Sequence, residues 1–201
     1  MDFSKIITNL TKLGYSVSEF NTSKEATDYL SREIHKQTVG IGGSVTVEEM
    51  KLYEALKNDN TVYWHNRIPE GMTDAEVRTK EGQASIYVSS VNGIAETGEI
   101  VNIDKTGNRV SSISYGHKKV YLLVGENKIE PTYEKALFRA RNVAAPLNAK
   151  RLNCKTPCAE KADKCYDCKS PDRICRNLSV LLGKPMGSDY EIILIHEKLG
   201  Y

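Results

Sequence analysis

Ile6, Ile7, Leu10 and Leu13 recur at helical spacing between Asp2 and Leu13, with polar residues between them. The pattern predicts an amphipathic helix that Gly14 closes. Thr22-Ser23-Lys24-Glu25 has the form of a capping box, and Ala26, Tyr29, Leu30 and Ile34 continue one face behind it. A second helix should therefore run to about Ile34. Thr38 to Ile41 is a short apolar strand leading into Gly42-Gly43-Ser44, after which Thr46-Val47-Glu48-Glu49 reads as another capping box opening Met50, Tyr53 and Leu56. Further apolar runs predict strands at Thr61 to Trp64, Ser85 to Val88, Ile100 to Ile103, Val110 to Ser114, Lys119 to Val124 and Tyr190 to Ile195, and a long helix from Tyr133 to Ala145.

Strands alternate with helices early and follow one another in the middle. This order predicts an α/β fold with a mixed, largely parallel sheet flanked by helices, parallel in its first half and open to antiparallel hairpins between Ser85 and Val124. The 201 residues contain no linker, repeat or low-complexity tract, so 1–201 reads as one domain. Apolar runs such as Ile192 to Ile195 are far shorter than the ~20 residues that span a bilayer, and the start has no signal-peptide core. The expectation is a cytoplasmic chain without a membrane span, its thiols reduced.

Net charge changes the picture only through its distribution. The total of +2 does not point to nucleic acid. Between Lys135 and Arg176, however, eleven Lys or Arg face four acids, so that stretch is net +7 and the remainder is net negative. All five cysteines lie in the same stretch.

Gly40-Ile41-Gly42-Gly43-Ser44 brings glycines to a strand end just before a helix. There the backbone can approach an anionic ligand and free N–H groups can receive it. The turn lacks the lysine of a P-loop, and Val45 stands where a dinucleotide fingerprint has its third glycine, so no nucleotide class is indicated. The plainer alternative is a tight turn that needs glycine for its dihedral angles. Glu96-Thr97-Gly98 sets a carboxylate and a hydroxyl before a glycine; Glu96 is a candidate base, nucleophile or ligand contact, or simply a solvated turn acid. Asp104 to Arg109 reads chiefly as a hairpin turn, with Arg109 suited to a substrate carboxylate. The four histidines show no metal-ligand spacing, and no serine-hydrolase elbow occurs.

Cys154, Cys158, Cys165, Cys168 and Cys175 form C-x3-C-x6-C-x2-C-x6-C, with Pro157 and Pro171 limiting the backbone. Such clustering suits zinc or an iron–sulfur cluster, either of which takes four sulfurs and leaves one spare. The six-residue gap between the pairs is shorter than the ~15–20 of common zinc ribbons and leans toward a cluster.

GIGGSVT from Gly40, ETGEIVNID from Glu96, GNRV from Gly107, GENKI from Gly125, RNVAAPLNAKR from Arg141, and TPC, CYDC and RIC around the cysteines occur here in order. Together they resemble the lactate-utilisation (LUD) domain family in its short single-domain form, with a cysteine segment at 154–175. The resemblance implies a fold akin to the sugar-phosphate isomerases and CoA transferases. It also implies a role in bacterial lactate or related organic-acid oxidation beside iron–sulfur or oxidoreductase partner proteins. Carried over by position, Gly40, Gly42, Gly43, Ser44, Glu96, Thr97 and Gly98 would line a site for a small anion, with Asn108 and Arg109 beside them. The longer glycine-rich signature of the CoA-transferase glutamate loop is missing. Two alternatives are a zinc-stabilised nucleic-acid-binding or regulatory module, and a CoA- or sugar-phosphate-dependent enzyme using Glu96.

Overall fold

The computed structural model describes residues 1–201. Its elements run α1 (Ser4–Lys12), β1 (Ser16–Phe20), α2 (Ser23–Glu33), β2 (Thr38–Ile41), α3 (Val45–Glu49), α4 (Leu52–Leu56), β3 (Thr61–Trp64), α5 (Asp74–Gln83) and β4 (Ile86–Ser90). Next come β5 (Gly93–Ala95), β6 (Ile100–Asp104), α6 (Asn108–Ser114), β7 (Lys119–Gly125), β8 (Ile129–Glu130) and α7 (Tyr133–Arg139). From α7 the chain passes through a π-type stretch, Ala140–Ala144, into α8 (Ala145–Arg151), then α9 (Pro157–Lys161), β9 (Asn177–Leu181) and β10 (Asp189–Ile195).

Six strands form one sheet in the order β1-β10-β7-β4-β2-β3, and all its pairings are parallel. A parallel strand covered on both faces buries every residue, which is why β7 and β10 are continuous apolar runs rather than alternating ones. Along β10 the side chains part: Ile192 and Leu194 join the core beneath α1, while Ile193 and Ile195 join the core containing Leu30 and Leu52 of α2 and α4. A smaller sheet, β8-β5-β6-β9, has antiparallel β5–β6 and β6–β9 pairs and a parallel β5–β8 pair. The expected α/β architecture is present, and the antiparallel pairing stands apart from the main sheet. No helix is long and apolar enough to cross a membrane.

Local chemistry departs from the sequence expectation in three places. Val110 to Ser114 is helical, not extended: Gly107 turns left-handed at φ 91°, and Asp104 Oδ2 accepts from the amides of Arg109 and Val110 at the first turn of α6. A carboxylate on two free N–H groups starts a helix despite β-branched residues, so Asp104 to Arg109 is a strand-to-helix connection and not a hairpin. Second, Ser44, not Thr46, caps α3 by accepting from Val47 N at 3.2 Å. Third, Lys51 is left-handed at φ 52° and divides the expected single helix into α3 and α4.

Candidate functional site

Strands β2, β4 and β7 end side by side, and their carboxyl ends are where open α/β sheets offer a crevice. Gly43 and Ser44 follow β2, Val91 and Asn92 follow β4, and Lys128 lies just past β7; together with Asp104 to Asn108 and with Arg151 of α8 they enclose a cleft of about 350 Å³. The three glycines before α3 serve different ends. A Cβ on Gly40 would lie 2.3 Å from Glu81 O, so this residue lets α5 approach β2 and does not face the cleft. One on Gly42 would lie 2.6 Å from Tyr87 Oη and 2.8 Å from Ser89 Oγ, whereas one on Gly43 would meet only the His65 ring, with Nε2 at 3.1 Å. The Gly42 amide donates to Val88 O at 3.0 Å, while those of Gly43 and Ser44 make no bond within the chain.

Two buried cations border this turn. The Arg109 guanidinium donates to Ser90 O at 3.2 Å, Asn102 Oδ1 at 2.8 Å, Asn92 Oδ1 at 3.1 Å and Ile103 O at 2.6 Å, all neutral acceptors. Lys128 is 3% exposed, and its Nζ donates to the hydroxyls of Thr46 and Ser90, each at 2.9 Å. Neither cation has a carboxylate on its charged group, although unpaired buried charge is costly. Burial, then the positive fields of Arg139 and Arg109, push the Lys128 ammonium down to about 7. Arg78, Lys105 and Arg151 add charge at the cleft wall against a single acid, Asp104. The field therefore favours an anion.

The depressed Lys128 ammonium fixes the sign of a pH effect. Between about pH 7 and its ordinary value of 10.5, the unfolded chain holds a proton that the folded chain has released. Stability should therefore rise with pH across that window. Urea denaturation at about pH 9.5 is expected to show on the order of 2 kcal/mol more stability than at pH 7, and Lys128→Met should flatten the slope.

Across the cleft, Glu81 of α5 is 1% exposed, and its Oε1 accepts from both His65 N at 2.6 Å and His65 Nδ1 at 2.7 Å. In the neutral imidazole whose Nδ1 donates to the carboxylate, Nε2 is the acceptor, and it lies beside Gly43.

Ser44, Asn108 and Arg109 also line the cleft, but Glu96, Thr97 and Gly98 do not. They form the turn between β5 and β6. Glu96 Oε2 accepts from Lys5 Nζ at 2.7 Å, Glu96 O accepts from Asn9 Nδ2 at 2.8 Å, and Gly98 at φ 110° packs on Leu13. The structure thus brings Gly43 and Ser44 to Asn108 and Arg109, leaves Gly40 and Gly42 out of the lining, and keeps Glu96 tied to α1.

Cys158, Cys165, Cys168 and Cys175 line a second cavity, of about 230 Å³, whose wall is largely apolar and includes Leu137, Ala149 and Leu178. Arg173 Nε donates to Cys175 Sγ at 3.2 Å, Asp167 N to Cys165 Sγ at 3.4 Å, and Arg141 reaches Cys165 Sγ at 4.0 Å. Cys154 does not line this chamber. It opens to a shallow depression beside Lys150 and Asn153, and burial pushes its thiol up. No three Cys, His or carboxylate side chains converge on one point as ligands of a single ion would. Ile103 and Ile174 line both the chamber and the cleft, so the two cavities share a wall.

A profile of the LUD domain matches residues 3–195, nearly the whole chain. The chain belongs to the LUD domain family. A crystal structure of a DUF162 family protein from Deinococcus radiodurans is similar at a TM-score of 0.52 and 10% identity, covering 97% of this chain and 99% of that one. This likeness shows the fold alone. eIF2B beta from Chaetomium thermophilum aligns over 66% of this chain and 44% of its own at 12% identity, with a TM-score of 0.33 that carries no argument. No curated protein matches the chain.

Three groups in the cleft of this LUD domain had no site assignment from sequence. Lys128 lies inside the family motif GENKI but gives no local sign of burial. His65 and Glu81 are sixteen residues apart and meet only because α5 folds back on β2 and β3. A signal for α5 was present, since Thr73-Asp74-Ala75-Glu76 is a capping box and the structure forms it.

Proposed function

We propose that this LUD domain takes part in the oxidation of lactate or a related small organic acid. It holds the acid's carboxylate in the cationic cleft and carries a metal centre, an iron–sulfur cluster in preference to zinc, in the cysteine chamber. The observation that carries the reading is the shared wall: Ile103 and Ile174 face both cavities, so an acid held in the cleft and a metal centre held by the chamber's thiols would be neighbours. Buried Arg109, with no carboxylate on its guanidinium, and Arg78, Lys105 and Arg151 at the wall supply the field for the acid. The reading of the chamber as a cluster site rests on four thiols lining one cavity, with Arg173 and Arg141 beside two of them to offset thiolate charge. A cluster would supply one-electron redox chemistry. The chain itself would orient the acid and exclude water. Glu96, held by Lys5 outside the cleft, lends no support to an enzyme built on that residue.

Purification without oxygen is expected to yield a brown protein whose iron and acid-labile sulfide are present in similar amounts and whose visible absorbance bleaches with dithionite. A colourless protein containing zinc and no sulfide would overturn the redox part. Binding of lactate or pyruvate by equilibrium dialysis should weaken steeply with salt, because the cleft's attraction is electrostatic.

A further inference from the structure

Lys128 is built for more than charge. Thr46 Oγ1 donates its own proton to Leu199 O at 3.2 Å and Ser90 Oγ donates its proton to Leu123 O at 2.6 Å. Both hydroxyls must therefore accept from the lysine, which fixes two N–H bonds of Nζ. On the neutral amine the remaining direction is a lone pair. Gly200 closes one side so tightly that a Cβ there would lie 3.3 Å from Nζ. The charged groups acting on the amine are Arg139, Arg109 and Glu49, and Glu49 Oε2 already accepts from Gly200 N at 2.7 Å. Burial and the two cations favour the neutral form and outweigh Glu49, which acts the other way, in keeping with an ammonium lowered to about 7. A buried amine in a cleft, desolvated and beside other cations, is the environment that makes lysine a nucleophile toward carbonyl carbon.

We propose that Lys128 condenses reversibly with the carbonyl of a 2-oxo acid whose carboxylate sits in the field of Arg109, within reach of the unbonded amides of Gly43 and Ser44. The proposal rests on the organic-acid reading of the same cleft and narrows it to the oxo form of the acid. The lone pair of Nζ adds to the carbonyl carbon while a proton moves from nitrogen to the carbonyl oxygen, giving a carbinolamine. The C–O bond then breaks as the nitrogen lone pair forms C=N, the departing hydroxide takes the second proton of Nζ and leaves as water, and a neutral C=N bond to Lys128 remains. Water reverses the sequence, and neither oxidant nor reductant is consumed. His65 Nε2, oriented by Glu81, lines the same cleft as an acceptor for the proton in transit.

The test treats the full chain with pyruvate and cyanoborohydride near pH 7.5, followed by peptide mapping. In parallel, equilibrium dialysis with labelled pyruvate compares wild type with Lys128→Met, whose fold is checked by circular dichroism. The expected result is a reduced adduct on Lys128 formed about tenfold or more faster than on any other lysine, with a rate that rises through pH 7 and not pH 10. The adduct should vanish in Lys128→Met. Adducts spread over surface lysines, or pyruvate bound by the wild type with no adduct, would overturn the covalent role while leaving organic-acid binding standing. Neither binding nor adduct would overturn both. Labelling of Lys128 by pyridoxal phosphate but not by pyruvate would overturn the 2-oxo acid assignment alone.

Discussion

Cys158→Ser, Cys165→Ser, Cys168→Ser and Cys175→Ser are each expected to lose bound metal, while Cys154→Ser keeps it. The first four thiols line one chamber and the fifth opens elsewhere. A serine hydroxyl in place of a thiolate removes a soft anionic ligand and leaves three, which weakens the hold on an iron–sulfur cluster or a structural zinc. Loss of a mere outer-sphere partner weakens metal binding about 10–100-fold, so loss of a ligand should exceed ~100-fold. Iron, zinc and sulfide per chain, measured after gel filtration with a competing chelator, read the result. If Cys154→Ser emptied the protein as fully as the others, the chamber would not define the ligand set.

Gly40→Ala is the substitution expected to harm folding most. Its Cβ would meet backbone atoms of α5, with Glu81 O at 2.3 Å and Glu81 Cα at 2.9 Å, and no rotamer change can relieve a backbone clash. Helix α5 would have to lift off β2, at a cost of about 3 kcal/mol, the upper range for overpacking. It would carry away Glu81, which orients His65, and Arg78 at the cleft wall. Gly43→Ala meets only the His65 ring, at 3.1 Å, and is expected to cost less than about 1 kcal/mol. Urea denaturation of the two variants side by side measures the contrast. Equal stabilities would mean that α5 does not depend on the bare backbone of β2.

The sequence by itself determined most of the elements, because local spacing encodes them. The apolar positions of α1, the Thr22–Glu25 capping box and the continuous runs of β2, β7 and β10 are all visible without a partner. It also grouped the cysteines and marked the glycine turn. Where apolar spacing was weak or another group overrode it, the reading failed. Helix α5 buries only Val77 and Glu81, so its periodicity is faint, and α6 forms because Asp104 caps it against the preference of Val110 and Ile113.

Only the tertiary structure decided which residues share a cavity. It parted Glu96 from the cleft, set Gly40 under α5, left Cys154 outside the chamber that the other four thiols line, and buried Lys128 among hydroxyls and cations. The physical reason is that a site is a convergence of segments far apart in the chain. Ser90, Arg109, Lys128 and Arg151 line one cleft from four such segments, and Ser90 meets Lys128 because the parallel strands β4 and β7 end side by side. Burial, which pushes the Lys128 ammonium down, comes from those long-range neighbours and not from Asn127 or Ile129 beside it.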